Sequence, residues 1–402
     1  MAENNRARWF RSFTEMEAET IRHWRRDLHQ QPELGFQETN TAAYLAKRLD
    51  EMGIVYRTGV GKTGIVATIG TKSSPVVGIR ADMDALPIQE ENDPAEIPFC
   101  SKNAGVMHAC GHDTHMAMLL GAAKALLKMQ ETLPGQIRLI FQPSEERSDD
   151  ENVHGAERMI QDGALDGLSG IIALHINSMM PAGKVWILPG YAFASGDYWE
   201  AEIVGKGGHD STPHQAIDPV FISAQVINAV YGIRARRLNP TKFGSISIGT
   251  IHGGTSGNVI PDVVELSGTI RSLEPELRET MIAELDKAFD VAKALGAEVH
   301  FDLKHGVIAL YNDPQVSCTF KKAAVDLFGS QALYEQGAML GVDDFAYMVH
   351  QVPGAMAMLG AQIDDQVRPL HNARFAIDES VLPMGAALLA ETACQLLEKY
   401  AA

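Results

Sequence analysis

The sequence predicts an α/β protein in which a mostly parallel-sheet domain is interrupted by an inserted ferredoxin-like unit. Three observations carry this. The chain has 402 residues, too many for one ordinary core, so two domains are expected. Short apolar runs alternate with helical periods over residues 1–194 and again over 306–402, the pattern of a sheet buried on both faces. Between them, residues 195–305 follow the order βαββαβ, the split-βαβ plan.

Taken in order, Glu15 to Met52 places apolar and charged residues at helical spacing, broken by QQPELG at Gln30 to Gly35, which predicts two helices. The runs VVGIRA (Val76–Ala81), QIRLIFQ (Gln136–Gln142) and GIIALHI (Gly170–Ile176) read as buried strands, with a helix over Met116–Met129. In the insert, strands are expected at Tyr198–Val204, Phe243–Ile251, Val263–Ser272 and Glu298–Leu303, and helices at Asp218–Arg236 and Pro275–Leu295. The first plan resumes at the strand Met356–Leu359 and ends in a helix over Ser380–Tyr400. No internal repeat or low-complexity tract is present.

Composition narrows the function. Asp and Glu outnumber Lys and Arg by 51 to 34, a net charge of −17 that argues against a nucleic acid or an anionic membrane as partner. The start MAENNRARWFRSF is charged where a signal peptide needs an apolar core, so a cytoplasmic protein is expected. Four cysteines in no CxxC pair make no disulfide scaffold. Two phosphate-binding matches fail: GVGKTG (Gly59–Gly64) lacks the earlier glycine of a Walker loop and runs into IVATIG, so it reads as a hairpin turn. Neither GxSxG nor HExxH occurs.

The densest chemistry is MHACGHDTH, Met107 to His115. Cys110 and His112 cannot share a helix face but could point to one side of an extended segment entering the Met116 helix. The pair reads either as two metal ligands or as a cysteine packed at a helix start beside a capping Asp113. Other candidates converge on the same edge: Asp82 and Asp84 end one strand, Glu145 and Glu146 follow another, and His175 sits near the end of a third. Open α/β sheets place ligand sites there. If a metal is present, adjacent carboxylates on a turn can divide the work, one binding metal and the other facing water as a base.

Beyond these residues, the chain resembles the hippurate hydrolase and auxin-conjugate hydrolase group of dinuclear-metal amidohydrolases, within the aminoacylase and carboxypeptidase G family. The resemblance rests on RRDLHQQPELGFQE (Arg25–Glu38), IRADMDALPIQE, SKNAGVMHACGHDTHMAMLLGAA, FQPSEE, GKGGHDSTPH (Gly205–His214), GGTSGNVIPD (Gly253–Asp262), GTIR (Gly268–Arg271) and LHNARFAIDE (Leu370–Glu379), in the family's order. It implies a catalytic domain with two divalent ions and an inserted lid that often mediates dimerisation, so a homo-oligomer is expected. It implies Cys110, His112, Glu146, His175 and His371 as metal ligands, with the thiolate bridging, and Glu145 as general acid/base. From the lid it implies His209 as oxyanion stabiliser, in its own or a neighbouring subunit's site, with Asn258 and Arg271 holding a substrate carboxylate.

A thiolate with imidazoles suits zinc, while the carboxylate also admits manganese or cobalt. Asp82 and Asp84 are expected to orient ligands, and His108 and His115 to pack or hydrogen-bond. The implied activity is hydrolysis of N-acyl amino acids; a carboxypeptidase or dipeptidase and a non-catalytic metal-binding oligomer are the rival readings. Two stretches depart from the family's pattern: Arg147–His154 (RSDDENVH) adds an acidic loop after Glu146, and Asp343-Asp344-Phe345 stands where the family has Glu-Asp-Phe.

Overall fold

The computed structural model describes residues 2–363 and 368–402, and side chains from residue 5 onward. Three helices open the chain, α1 (Ala2–Met16), α2 (Ala18–His29) and α3 (Thr39–Met52). Then come β1 (Val55–Val60), β2 (Gly64–Ile69), β3 (Val76–Asp82), α4 (His112–Leu127), β4 (Gln136–Gln142), α5 (Gly155–Gln161), β5 (Gly170–Pro181), β6 (Val185–Trp186) and β7 (Gly190–Phe193). The insert holds β8 (Ser195–Val204), β9 (Gly208–His209), α6 (Pro219–Arg236), β10 (Gly244–His252), β11 (Val259–Ile260), β12 (Val263–Ser272), α7 (Pro275–Ala288), α8 (Asp290–Ala294) and β13 (Glu298–Lys304). The chain closes with β14 (Leu310–Asn312), α9 (Pro314–Phe328), α10 (Phe345–Gln351), β15 (Gly354–Gln362) and α11 (Leu382–Ala401).

Two compact units result. One comprises Met1–Gly190, Tyr311–Gly337 and Tyr347–Ala402, the other Tyr191–Leu310 and Ala338–Ala346. The short segment 338–346 therefore joins the second unit, where the sequence had suggested the first. Its backbone is tied there by Met339 N–H to Ala192 O and Ala194 N–H to Gly341 O, both 2.9 Å.

The first unit is built on a seven-stranded sheet of order β1-β2-β4-β3-β5-β15-β6. The four strands β4, β3, β5 and β15 are parallel, with antiparallel strands at both edges. Buried on both faces, β3 has every residue buried and β15 all but its last. GVGKTG forms the β1–β2 turn, with Val60 opposite Gly64. Helix α4 is apolar nearly all round because α2 and α11 cover it on one side and β3 on the other. Its Gly121 lets α2 approach, since a Cβ there would lie 2.7 Å from Ile21 Cδ1. Helix α11 is long and apolar enough to cross a membrane by length and composition, yet 89% of its apolar stretch is buried in this core.

The second unit is a four-stranded antiparallel sheet of order β10-β12-β8-β13. Strand β8 alternates, burying Trp199, Ala201 and Ile203 while exposing Tyr198, Glu200 and Glu202. The buried face packs against Ile222, Val226, Val230 and Ile233 of α6 and Leu277, Met281 and Leu285 of α7, which places both helices on one side of the sheet. The helix expected over 275–295 is broken at Phe289, whose ring is buried. Helices α1, α5, α9 and α10 were not foreseen, although α9 buries Val316, Phe320, Ala323, Ala324 and Leu327 at helical spacing.

Candidate metal centre

In the first unit, the ends of β3, β4 and β5, the start of α4 and the segment at His371 bring together six candidate residues, Cys110, His112, Glu145, Glu146, His175 and His371. The segment before α4 departs from the extended form that spacing alone predicted. Gly111 adopts φ +86°, and His112 is the first residue of the helix. Only glycine fits, because a Cβ at residue 111 would lie 2.3 Å from Ile176 Cγ2. This reversal lets Cys110 and His112 face one place although they are two residues apart.

The imidazoles are aimed by their far nitrogens. His112 Nδ1 donates to Asp84 O at 2.8 Å, and His175 Nδ1 donates to Ile176 O at 2.7 Å. A carbonyl only accepts, so in each ring the neutral form carries its proton on Nδ1 and leaves the Nε2 lone pair for the site. His175 Nε2 lies 3.6 Å from Cys110 Sγ. His112 Nε2 is buried without a hydrogen-bond partner, 3.6 Å from Asp82 Oδ2 and 4.0 Å from Glu146 Oε1. Glu146 Oε1 is a second buried atom without one, although His371 Nε2 faces it at 3.0 Å. His371 arrives from the other end of the chain, at φ +60° and anchored by its N–H to Ala109 O at 2.8 Å.

Donor atoms within 4.8 Å of one another form two triads that share the thiol, Cys110 with His112 and His175, and Cys110 with Glu146 and His371. Glu145 joins a third group with His112 and Glu146. Sulfur, imidazole nitrogen and carboxylate oxygen are the donors that borderline divalent transition metals select, and two orphaned buried atoms at the focus mark missing partners. The residues therefore fit divalent metal ions, which these side chains would hold, with Cys110 belonging to both triads.

Electrostatics agree. Burial pushes the Cys110 thiol well above its ordinary range, and Glu146, Glu145 and Asp82 push it further. Burial would lower His112, but Asp82, Asp84 and Glu146 outweigh it and raise this imidazole to about 10. Both shifts are those of a cage of negative charge, in which a cation favours the thiolate. Asp82 moves the opposite way: burial raises it, and Arg80 with His112 and His115 brings it well below the usual carboxylate range.

Around the focus, each supporting group has a definite task. Asp84 accepts the backbone N–H groups of Glu145 and Glu146, both at 3.0 Å, so one carboxylate fixes the turn that carries both glutamates. Arg80 Nη1 holds Asp82 at 2.7 Å, and Asp82 Oδ1 takes His115 Nδ1–H at 2.6 Å. His115 Nε2 then accepts the Ile176 N–H at 2.9 Å, so both nitrogens are used. His108 is buried and packs without hydrogen bonds, its pKa pushed down to about 3 by burial. Asp113 does not cap α4; its Oδ2 lies 2.7 Å from Arg25 Nε and 2.9 Å from His29 Nδ1. The acidic loop folds on Asp149, which takes Lys62 Nζ at 2.6 Å and Arg158 Nε at 2.8 Å, while His154 Nδ1 donates to Glu145 O at 3.3 Å.

The remaining candidates lie in the second unit. His209 and Asn258 are neighbours: His209 pairs with Val259 across β9 and β11, and Asp210 N–H reaches Asn258 O at 3.4 Å. Both residues are exposed, and His209 Nδ1 accepts from Ser211 N–H at 3.1 Å. Arg271 stands near the far end of β12, opposite Gly196, with Nη1 donating to Leu340 O at 3.3 Å. Val263, where β12 begins beside β11, is separated from Arg271 by about 27 Å of strand. Asp343 and Asp344 are both buried in this unit, and Asp343 Oδ1 accepts Phe345 N–H at 2.8 Å.

The chain is similar to known proteins along most of its length. A family model described as Peptidase family M20/M25/M40 matches residues 78–395. Thermostable carboxypeptidase 1 of Saccharolobus solfataricus is 40% identical over 368 residues, covering 90% of this chain and 91% of the relative. IAA-amino acid hydrolase ILR1-like 2 of Arabidopsis thaliana is 36% identical, covering 94% and 85%. Among solved structures, the Bacillus subtilis YXEP protein, described as a dinuclear metal binding peptidase from the M20 family, matches with a TM-score of 0.82 and 32% identity over 96% of this chain and 99% of that chain.

Proposed function

The chain belongs to peptidase family M20/M25/M40 and is a metal-dependent hydrolase of amide bonds, and on that premise we propose that it cleaves N-acyl amino acids to a carboxylic acid and a free amino acid. Cys110, His112, Glu146, His175 and His371 would hold two divalent ions, zinc by donor type, with manganese or cobalt also accepted. The observation that carries the reading is the pair of orphaned atoms, His112 Nε2 and Glu146 Oε1, beside a glutamate whose backbone Asp84 holds in common with Glu146. When bound, the ions supply Lewis acidity to a water and to the scissile carbonyl.

Glu145 takes the proton of the attacking water and returns it to the leaving amine. The developing oxyanion is met by the His209 imidazole through Nε2, because Nδ1 is engaged by Ser211 N–H at 3.1 Å and by Asp210 Oδ1 at 2.9 Å. Arg271 binds the α-carboxylate with a fork that a lysine cannot reproduce. Asn258 helps there only from another chain, because it shares its end of β12 with His209 and not with Arg271. The geometry thus favours a homo-oligomer in which His209 and Asn258 of one subunit serve a neighbour's site. Strand β10 is an edge strand of the sheet, and Phe221 and Tyr231 of α6 with Ile251 of β10 are exposed apolar residues suited to a second copy.

The relative named as a carboxypeptidase keeps short peptides as a second substrate reading, since Arg271 would bind a peptide's terminal carboxylate equally well. The enzyme is read as cytoplasmic, where Cys110 stays reduced. The deciding assay measures amino acid release from N-acetyl and N-benzoyl amino acids and from dipeptides, with chelated enzyme and enzyme reloaded with zinc, manganese or cobalt. Metal-dependent release from acyl amino acids is expected. Release from dipeptides alone would transfer the reading to a peptidase.

A further inference from the structure

The segment PELGFQE, residues 32–38, belongs to the resemblance but has no task in the site described so far. Its last residue, Glu38, is fully buried at the start of α3 and does not cap that helix. Its Oε1 accepts the Ser144 N–H at 2.8 Å, and its Oε2 accepts the Thr63 hydroxyl at 2.6 Å. Ser144 immediately precedes Glu145 and sits at φ +46°, a left-handed conformation that a residue with a side chain adopts only when its surroundings impose it.

The same segment meets this turn once more and also holds the backbone next to Asp84. A Cβ on Gly35 would lie 2.3 Å from Ser144 Oγ, so only glycine permits the approach. Glu33 O takes the Ala85 N–H at 2.8 Å, beside Asp84. Three consecutive N–H groups, those of Ser144, Glu145 and Glu146, are therefore held by two buried carboxylates, the first by Glu38 and the other two by Asp84.

We propose that Glu38 is a positioning residue for amide hydrolysis: by holding the Ser144 N–H it fixes the left-handed backbone from which Glu145 projects toward the attacking water. The inference rests on Glu145 being the base. It does not need a charge on Glu38, because a neutral carboxyl oxygen accepts the same N–H. Burial, with Asp84 next, raises this group to about 7, so both forms occur near neutrality.

The test measures kcat, KM, metal per chain and thermal midpoint for the holoenzyme and its Glu38→Ala, Glu38→Gln, Glu145→Gln and Glu38→Ala/Glu145→Gln variants. Glu38→Ala is expected to lower kcat roughly 10- to 100-fold, the scale of an ångström-sized misplacement, with KM and metal content nearly unchanged. Glu38→Gln keeps an acceptor for Ser144 and restores kcat, and Glu38→Ala adds no further loss in the Glu145→Gln background. An unchanged kcat in Glu38→Ala, or a loss that merely tracks lost metal, overturns the proposal. Should Glu38→Ala fail to fold, Glu38→Asp decides: it withdraws the carboxylate by one methylene, and an unchanged kcat overturns the positioning role. Turnover surviving in Glu145→Gln would instead overturn the base assignment itself, whatever the Glu38 series does.

Discussion

The two units hold their functional side chains in opposite ways. In the first, Cys110, His112 and His175 are buried, and the imidazoles are fixed by hydrogen bonds from their far nitrogens, while Asp84 and Glu38 grip the backbone that carries Glu145 and Glu146. In the second, His209 and Asn258 are exposed on a two-residue strand pair and the loop leading into it, and Arg271 contacts a backbone carbonyl near the other end of β12. The first unit is preorganised within one chain. The second presents its candidate groups on exposed backbone turns and a strand end. Under the proposed reading, rigidity is concentrated where proton and metal geometry matter, and exposure where substrate enters.

The largest expected effect breaks the first unit alone. Glu145→Gln should lower kcat by on the order of 1,000-fold or more while metal content and KM stay near wild type, because the base is lost and the ligands remain. Cys110→Ala should lose activity and metal together, since the sulfur belongs to both triads. Activity measured alongside metal per chain separates the two. A Glu145→Gln enzyme that also loses its metal would assign that carboxylate as a ligand.

The comparison sharpens when each unit is disabled in a different chain. His209→Ala alone should cost roughly 100- to 1,000-fold in kcat, the scale of a lost oxyanion donor. If His209 serves the neighbouring subunit, mixing inactive His209→Ala and Glu145→Gln proteins under exchange conditions should restore up to about a quarter of wild-type activity, because half the sites in a mixed dimer receive both intact groups. No recovery despite verified mixed dimers would place His209 in its own chain's site. Arg271→Lys should be milder, raising KM about tenfold with kcat little changed, and the effect should vanish for substrates whose carboxylate is amidated.

The sequence conveyed the two units unequally as well. The apolar runs of β3, β4 and β5 and the βαββαβ order were legible because burial on both faces, or on one, leaves a period in the residues themselves. Cys110 and His112 were found by type, but their turn was misread, since a left-handed Gly111 has no periodic signature. The ring of Arg25, His29 and Asp113 joins residues over 80 positions apart, which no local pattern encodes; a buried cation beside a histidine in RRDLH was its only trace. Glu38 was hidden in the same way: it looks like a helix-start glutamate, and only the fold reveals that its carboxylate turns to Ser144.

The smallest effects concern stability, and they contrast the same two regions. Glu38 is raised to about 7 in the folded protein from an ordinary 4.5, by burial first. A raised carboxylate contributes stability that is present below about pH 4.5 and lost as pH rises through about 7. Relative to Glu38→Gln, wild type should therefore lose on the order of 3 kcal/mol between these limits, less whatever solvent entry relieves. Glu284, on the surface of the second unit, is lowered to about 2 by Arg237 and Lys287, so its sign is reversed: its contribution is present above about pH 4.5 and lost as pH falls toward 2. Because Arg237 and Lys287 are exposed and solvent screens their pairing with the part-buried Glu284, Glu284→Gln should shift the thermal midpoint only slightly at moderate salt. Thermal midpoints of both variants from pH 4 to 8 test the contrast: a gap between wild type and Glu38→Gln that fails to widen with pH would mean that water reaches Glu38, and the base-bearing turn would then be less dry than its hydrogen bonds imply.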